Sequence, residues 1–397
     1  MNRPLIVIFT TITLDAMGIG IIFPILPALI KEITHSDNVA LYIGILGALY
    51  AVMQFICAPL LGALSDRLGR RPLLLFSLGG ASINYLLLCF SPTLSLLLVG
   101  RAIAGMTGAS ISVAMAYITD ISAPEHRARH FGWFNAMFGI GFIVGPVLGG
   151  TLGDYWVRLP FIAAALLNGG NFLLALLVLP ETRKASRDKL TLSALNPLQP
   201  IRWLFSLKGV MPVVLTFFIL SFTGEAYGIC WALWGKDAFQ WNGFYIGLSL
   251  GAFGVCQTLV QLFLPGPAAR ILGERNTVVT GIACACTALC AMALAREGWM
   301  VFAIMPLFAL GSIGTPALQT LASRQVDADN QGRFQGLLAS TVSLASIIAP
   351  LIFSACYFAV QQRWPGAIWL AVAMVYLIAL PLVIYGIASR SVSAQHS

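Results

Sequence analysis

The sequence predicts an all-α membrane protein whose twelve transmembrane helices form two pseudo-symmetric six-helix bundles. Hydrophobic residues make up 58% of the 397 residues and charged residues 10%, and the mean hydropathy is +0.87. Such a composition exceeds what a soluble core requires, whereas a bilayer span needs roughly 20 apolar residues. We place the spans at about 5–30, 40–61, 72–90, 94–118, 130–152, 159–180, 210–234, 243–265, 277–295, 298–321, 334–359 and 367–387.

A charged turn that occurs twice indicates the two-bundle arrangement. Residues 62–71 (GALSDRLGRR) separate the second and third spans, and residues 266–275 (GPAARILGER) lie at the corresponding place in the second half. Identical residues occupy three aligned positions: Gly62 and Gly266, Gly69 and Gly273, Arg71 and Arg275. Charges of opposite sign occupy two others: Asp66 and Arg270, Arg70 and Glu274. Because the two loops align without a gap, the sequence favours two halves with the same arrangement of helices.

The bundles divide the chain into four parts. We expect an N-terminal bundle at residues 1–180, a cytoplasmic linker at 181–209, a C-terminal bundle at 210–387 and a cytoplasmic tail at 388–397. The linker holds a cluster of basic residues, and Pro197 and Pro200 prevent a long helix there. A short amphipathic helix around 200–207 could lie on the inner leaflet, or the segment could bind a regulatory partner.

The distribution of the net charge of +8 indicates the orientation of the chain in the membrane. Most Lys and Arg residues fall in the turns and linker that we assign to one face of the membrane, which is the positive-inside pattern. This places both termini in the cytoplasm and basic side chains near anionic lipid headgroups. Nucleic acid is not needed to explain the charge. The sequence also lacks a phosphate loop, a metal-ligand cluster and a nucleophile–base pair, which argues against an enzyme.

Several motifs carry a family resemblance. The turn at 62–71 is similar to the signature loop of the major facilitator transporters, as is Arg101-x-x-x-Gly105-x-x-Gly108 in the fourth span. Residues 139–150 (GIGFIVGPVLGG) contain the glycine–proline pattern that is typical of the antiporter branch. The stretch at 13–20 (TLDAMGIG), Gln54 and the segment at 316–319 (PALQ) resemble the Gram-negative tetracycline–proton antiporters.

This resemblance implies a function as well as a fold. It implies the major facilitator fold in a bacterial inner membrane and efflux of a small amphipathic, tetracycline-like drug, either alone or as a metal chelate. Protons would drive the exchange by alternating access. No cofactor, catalytic residue or resident metal is implied, and a monomer suffices. The alternatives are efflux of another drug or metabolite, and a non-antiport sugar or metabolite transporter, which fits the glycine–proline motif poorly.

The signature loop and the glycine–proline motif are the predicted gating elements. We expect Asp66 to cap the eleventh span near Gln331, and Arg70 or Arg71 to pair with Asp120 when the cytoplasmic side is closed. The glycine–proline motif predicts a tightly packed, bent helix, or packing alone. The predicted gating residues are Asp66, Arg67, Gly69, Arg70, Arg71, Asp120, Gly141, Gly145 and Pro146.

Only three charged residues, Asp15, Arg101 and Glu225, lie deep within predicted spans. A charge in hydrocarbon is costly and requires a partner or a function. Asp15 and Glu225 occupy equivalent helices of the two halves, and the resemblance places both beside the central cavity. Arg101 needs a counter-charge, for which Asp15 is the first candidate and Glu225 the second. Each acid is either a structural partner or a proton carrier, because an unpaired buried carboxyl can exchange a proton near neutral pH.

Amide side chains within the spans could form hydrogen bonds with a drug, and aromatic side chains of the seventh span near Glu225 could stack on it. The candidates are Gln54, Asn84, Gln257, Gln261, Tyr227 and Trp231. The amides could instead hold helices together, and Trp231 and Trp234 could belong to an interfacial belt. The tetracycline antiporters usually carry an aspartate where this chain has Asn84, a histidine at Gln257 and an aspartate near Ala285. Because these positions are neutral here, Glu225 is the acid that would compensate.

Overall fold

The structure is a computed structural model that describes residues 3–36, 38–108, 110–182, 203–204, 210–326 and 330–386. These residues form two compact units. The first holds the described residues before Pro197 together with Asn242–Gly251, and the second holds those within Leu198–Trp241 and Ala252–Ser397. The predicted tail and most of the predicted linker lie outside the described residues. Of the predicted amphipathic helix at 200–207, only Trp203 and Leu204 are described, and both are helical. The proposed domain limits therefore stay a prediction.

The first part of the chain forms eight helices: α1 (Arg3–Ile22), α2 (Leu26–Thr34), α3 (Val39–Leu68), α4 (Arg70–Phe90), α5 (Leu94–Thr107), α6 (Ser110–Ile121), α7 (Pro124–Tyr155) and α8 (Leu159–Val178). Helix α1 packs mainly on α7 and α8, while α4 packs on α8 and α5. A buried apolar cluster built from α1, α3, α4, α6, α7 and α8 includes Ile8, Leu74, Tyr117 and Phe134.

The second part of the chain forms eight more described helices: α9 (Met211–Phe239), α10 (Gly243–Phe263), α11 (Pro265–Leu272), α12 (Glu274–Leu294), α13 (Gly298–Leu310), α14 (Gly314–Ser323), α15 (Gln331–Val360) and α16 (Ala367–Pro381). A short 3₁₀ turn at Gly311–Ile313 joins α13 to α14, and a π turn at Leu382–Gly386 follows α16. Helix α9 packs on α15 and α16, and α12 packs on α16, α13 and α14.

Twelve helical segments in the described chain are long and apolar enough to cross a membrane, and the predicted fold class is confirmed. Three spans are less regular than the sequence predicted. The first is divided after Ile22, because Pro24 and Pro27 cannot continue the backbone hydrogen-bond ladder of α1. In the fourth, the helix is interrupted at Gly108, between α5 and α6, and the tenth contains the 3₁₀ turn. Both breaks occur at glycines, which lower the cost of leaving the helix.

Candidate functional site

Asp15 is the buried acid of the first unit. It lies in α1 with 5% of its surface exposed, and the Ser110 hydroxyl of α6 donates a hydrogen bond to its Oδ2 at 2.6 Å. An ion pair with Arg101 was one of the alternatives for this acid, and it is absent: within the described part of the chain, Asp15 forms no ion pair with a basic side chain, and its hydrogen-bond partner is Ser110. The Arg101 guanidinium lies instead over the Tyr50 ring of α3, 4.6 Å from its centroid. A cation–π contact thus takes the place that the sequence assigned to a carboxylate.

Glu225 has the same kind of environment in the second unit. It is half-buried in α9, and the Ser346 hydroxyl of α15 donates a hydrogen bond to its Oε1 at 2.6 Å. No basic residue in the described part of that unit forms an ion pair with it. In the described part of each half, an acid deep within a span, Asp15 or Glu225, therefore accepts a hydrogen bond from one serine hydroxyl. The sequence did not identify Ser110 or Ser346, because serines are common in spans and neither lies close to its acid in the chain.

The four candidate amide side chains differ in their surroundings. The Gln54 Nε2 donates to the Gly108 carbonyl at 3.0 Å, where the fourth span breaks, so this residue holds two helices together. Asn84 is 3% exposed and its Oδ1 has no hydrogen-bond partner in the described structure. On α10, Gln257 is half-buried and Gln261 is exposed. Asn84 is the one whose buried polar atom has capacity for a further hydrogen bond.

Tyr227 lies at the centre of an aromatic cluster in the second unit. Its ring centroid is 4.6 Å from that of Trp231, 4.6 Å from Phe253 and 6.0 Å from Phe308. The Tyr227 hydroxyl is buried without a hydrogen-bond partner among the described residues. Trp231 is 1% exposed and packs edge-on against Trp369. Trp231 is thus an internal residue of the unit, and the alternative of an interfacial belt is wrong for it.

Trp234 and Ala285 are also internal residues of the second unit. Trp234 is 1% exposed and its ring lies 5.3 Å from that of Trp369, so it too is not a belt residue. Ala285 is 2% exposed and packs against the 3₁₀ turn of the tenth span, where a Cβ added to Gly311 would lie 2.9 Å from the Ala285 Cβ. This contact leaves little room for a larger side chain at Ala285.

The signature loop is organised around Arg70, a nearly buried arginine. Its guanidinium pairs with Asp120 at 3.0 Å and with Asp66 at 2.8 Å, and it also donates to the Ser65 hydroxyl at 2.9 Å. The predicted contact between Arg70 and Asp120 is present. Arg71 does not share it and donates to the Leu176 carbonyl of α8. The loop therefore ties the ends of the second, third, fourth and sixth spans together on one face of the unit.

Gly69 and Glu181 shape the turn itself. Gly69 has a backbone φ of 108°, which residues with a Cβ atom rarely adopt. Just after it, the Glu181 carboxylate accepts hydrogen bonds from the backbone N–H groups of Arg70 at 2.8 Å and Arg71 at 3.2 Å. Glu181 thus caps the N-terminus of α4, where a negative charge is favourable. Arg67 is exposed, so the loop keeps one arginine at the surface.

The family follows from comparison with known proteins. The model of the Major Facilitator Superfamily matches residues 8–234 and 213–395. The chain belongs to the Major Facilitator Superfamily. It is therefore a multi-pass membrane transporter rather than an enzyme, as the sequence predicted.

Known relatives agree with this assignment over almost the whole chain. The transporter is 47% identical to the class C tetracycline resistance protein of Escherichia coli, with 99% of both chains covered. It is 43% identical to the class G tetracycline resistance protein of Vibrio anguillarum, over 96% of this chain and 97% of that protein. The predicted resemblance to the Gram-negative tetracycline resistance proteins is confirmed. The quinolone resistance protein NorA of Staphylococcus aureus (strain COL) is 26% identical, with 90% of each chain covered.

Solved structures of low sequence identity share the fold. The crystal structure of the nucleoside transporter NupG superposes with a TM-score of 0.82 at 13% identity, covering 98% of this chain and 100% of that one. The crystal structure of the peptide transporter POT in complex with sulfate gives a TM-score of 0.78 at 13% identity, covering 97% and 95%. These similarities concern the fold alone.

The second-half loop of this transporter repeats the first with its charges inverted. Glu274 pairs with Arg324 at 2.8 Å, and these residues stand 204 positions after Arg70 and Asp120, which form the corresponding pair. The turn again contains a glycine of positive φ, Gly273 at 79°. The next residue, Arg275, donates to a backbone carbonyl near the end of the twelfth span, as Arg71 does in the sixth. The sequence showed the sign exchange within the loop, but not that Arg324 is the partner.

The glycine–proline motif packs α7 against α1. A Cβ added to Gly141, Gly145 or Gly149 would meet the carbonyl oxygens of Thr13, Met17 and Ile21 respectively, and Pro146 lies against Gly20. The three glycines stand four residues apart and so share one helix face. The small-residue seam that the motif predicts is therefore a direct backbone contact with α1, the helix that carries Asp15.

An adjacent face of α7 packs against the start of α10. A Cβ on Gly247 would collide with the Pro146 carbonyl, and Gly150 and Gly243 touch through their backbones. Near the end of α7, the Asp154 carboxylate accepts hydrogen bonds from the N–H groups of Gly243 at 2.8 Å and Phe244 at 2.9 Å. Asp154 thereby caps α10. Asn242-Gly243 is a recognisable helix start, but Asp154 lies 88 positions before it in the chain, so its role as the cap could not be predicted.

Proposed function

We propose that this transporter is a drug–proton antiporter of the bacterial inner membrane, with both termini in the cytoplasm, that exports a tetracycline-like compound as a monomer. The observation that carries the proposal is the pair of intramembrane carboxyl groups, Asp15 and Glu225, each bonded to one serine and neither paired with a base in the described residues. Acids in such surroundings are suited to binding and releasing protons. The high identity to tetracycline resistance proteins supports the substrate class.

Glu225 is the residue that we assign to proton exchange. It is half-buried, whereas Asp15 is 5% exposed, and a proton carrier must reach water during the cycle. With its proton bound, the neutral site can return to the side that releases the proton. Without it, the carboxylate attracts a cationic or metal-chelated drug. Asp15 is the second proton-coupling candidate. Arg101, which lies over the Tyr50 ring, is the third and supplies positive charge to that half.

Tyr227 and its neighbours are the proposed drug contact. Aromatic rings can stack on a planar drug, and the unpartnered Tyr227 hydroxyl can donate to a drug oxygen. We assign Trp231 to the support of this ring, because it is fully internal. Asn84 is the proposed polar contact of the first unit. The remaining candidates are Gln54, Gln257 and Gln261, of which Gln54 already has a structural hydrogen bond.

The gating proposal rests on the ion pairs of the signature loop and on the α7 seam. Arg70 holds Asp66 and Asp120 together, an arrangement that can be exchanged for other partners as the cytoplasmic side opens. The glycines at 141 and 145 and Pro146 allow α7 to move with α1 as one body, because their backbones are in contact. The cap on the eleventh span by Asp66 stays a prediction.

A drug-susceptibility panel in an efflux-deficient Gram-negative host tests the proposal. Expression of the wild type should raise resistance to tetracyclines, and Glu225→Gln should abolish the gain at equal protein level in the membrane. Glu297→Gln is the matched control, because it makes the same change at an exposed acid. Quinolones are included in the panel because the chain is similar to NorA. Resistance to quinolones without resistance to tetracyclines would instead favour the alternative, efflux of another drug. Full tetracycline resistance with Glu225→Gln would contradict the role of the acid.

A further inference from the structure

Few charged or titratable residues lie on the elements that pack around Glu225 in its own unit. Helices α14, α15 and α16 and the π turn pack against α9, and the only charged residue in these four elements is Arg333. Arg333 stacks over the Trp203 ring at 4.7 Å and lies roughly 20 Å from Ser346 along the helix axis. The other titratable groups in these four elements are Cys356, Tyr357, Tyr376 and Tyr385. Helix α9 itself adds Tyr227 and Cys230, and α10, whose Phe253 ring contacts Tyr227, adds Cys256.

None of these groups carries charge next to Glu225 at neutral pH. Cysteine and tyrosine side chains ordinarily ionise well above pH 7, and Tyr357 is already bonded to Asp237 at 2.7 Å near the end of α9. Lys236 and Asp237 lie about three helical turns from Glu225 on its own helix. Within the described part of the unit, the Ser346 hydroxyl is the group that forms a hydrogen bond with this carboxyl group.

We infer that Ser346 is a positioning residue for proton exchange, which sets the pH at which Glu225 binds and releases its proton. The inference rests on the proposed function, in which Glu225 is the proton carrier. The 2.6 Å separation is typical of a hydroxyl that donates to a carboxylate. Once Glu225 is protonated, the same serine oxygen can accept a hydrogen bond from the carboxyl O–H. One side chain thus serves both protonation states without any movement of α9 against α15.

The direction of the effect follows from the charged state. A hydrogen bond donated to a carboxylate favours its ionised form. When Ser346→Ala removes that donor, the carboxyl group should hold its proton to higher pH, and the midpoint of proton release should rise by about one pH unit. Ser346→Thr retains a hydroxyl on the same helix face and should restore the midpoint of the wild type.

The matched control is a second serine on the same helix. Ser343 lies one turn before Ser346, and its hydroxyl bonds to the Ala339 carbonyl of its own helix at 3.0 Å. Ser343→Ala removes the same atom as Ser346→Ala without touching Glu225. It should leave the midpoint of proton release unchanged.

The experiment combines transport with spectroscopy on full-length purified protein. Tetracycline-driven proton exchange is measured against pH in proteoliposomes for the wild type, Ser346→Ala, Ser346→Thr and Ser343→Ala. In parallel, infrared spectroscopy follows the titration of the protonated carboxyl band that disappears in Glu225→Gln. If Ser346→Ala cannot be purified, Ser346→Cys, which is close in size and a much weaker donor, must produce the same shift.

The outcomes separate this inference from the function on which it rests. An upward shift in both readouts with Ser346→Ala, restored by Ser346→Thr and absent in Ser343→Ala, supports it. An unchanged midpoint with Ser346→Ala, while Glu225→Gln abolishes the pH dependence, overturns the role of Ser346 and leaves the antiport proposal intact. Wild-type pH dependence in Glu225→Gln overturns both. An equal shift in Ser343→Ala also overturns the inference, because the effect would then belong to α15 in general.

Discussion

Gly145 allows the closest test of the seam between α7 and α1. A Cβ at this position would lie 2.5 Å from the Met17 carbonyl oxygen, 3.0 Å from the Gly20 Cα and 3.2 Å from the Ile21 N. All three atoms belong to the backbone of α1, which cannot move aside as a side chain can. We therefore expect Gly145→Ala to separate the two helices and to destabilise the unit by about 1–3 kcal/mol, the range for overpacking.

Gly132 is the matched control on the same helix. A Cβ there would meet nothing within 4 Å, so Gly132→Ala should only remove backbone freedom and stabilise the helix by about 0.5–1 kcal/mol. The two alanine variants should change stability in opposite directions. Thermal unfolding of purified protein in one detergent measures both, and tetracycline transport by the same preparations reports function. Equal midpoints for the two variants would refute the reasoning, because the seam would then have room for a methyl group.

Three further predictions concern the ends of the helices. Asp66→Asn should abolish transport while the protein remains in the membrane, because it weakens the pair with Arg70; normal transport in vesicles would contradict this. Exchanging the charges of the inverted pair in Glu274→Arg with Arg324→Glu should restore the transport that either single change reduces, and a double variant no better than the single ones would argue against a functional pair. Asp154→Ala should destabilise the start of α10 by about 0.5–2 kcal/mol, which hydrogen exchange at Gly243 can measure; unchanged exchange there would exclude the cap.

The features that could be predicted are those that show as a local pattern of residues along the chain. Long apolar runs identify spans, and an acid within such a run is conspicuous, so the twelve spans, Asp15 and Glu225 could all be recognised. The pairing of Arg70 with Asp120 could be predicted because both residues are charged and lie at span ends. The contact itself is now observed, whereas its role in gating stays a prediction.

Other contacts depend on the arrangement of helices in space. The partner of Asp15 is a serine 95 positions away, and nothing in the sequence distinguishes Ser110 from other serines in spans. Arg101 was assigned to Asp15 because opposite charges attract, but the Tyr50 ring offers the guanidinium a different partner. Trp234 was placed near a surface by its position in the span, yet neighbouring aromatic rings bury it.

Drug-induced proton release tests the assignment of the proton carrier most directly. Tetracycline is added to lightly buffered, detergent-solubilised protein, and the released protons are counted for the wild type, Glu225→Gln and Asp15→Asn. The two acids have equivalent hydrogen bonds of 2.6 Å, so the two substitutions are chemically matched. We predict release from the wild type and Asp15→Asn, and none from Glu225→Gln. Release from Glu225→Gln at the wild-type level, together with none from Asp15→Asn, would contradict the account and assign the proton to Asp15.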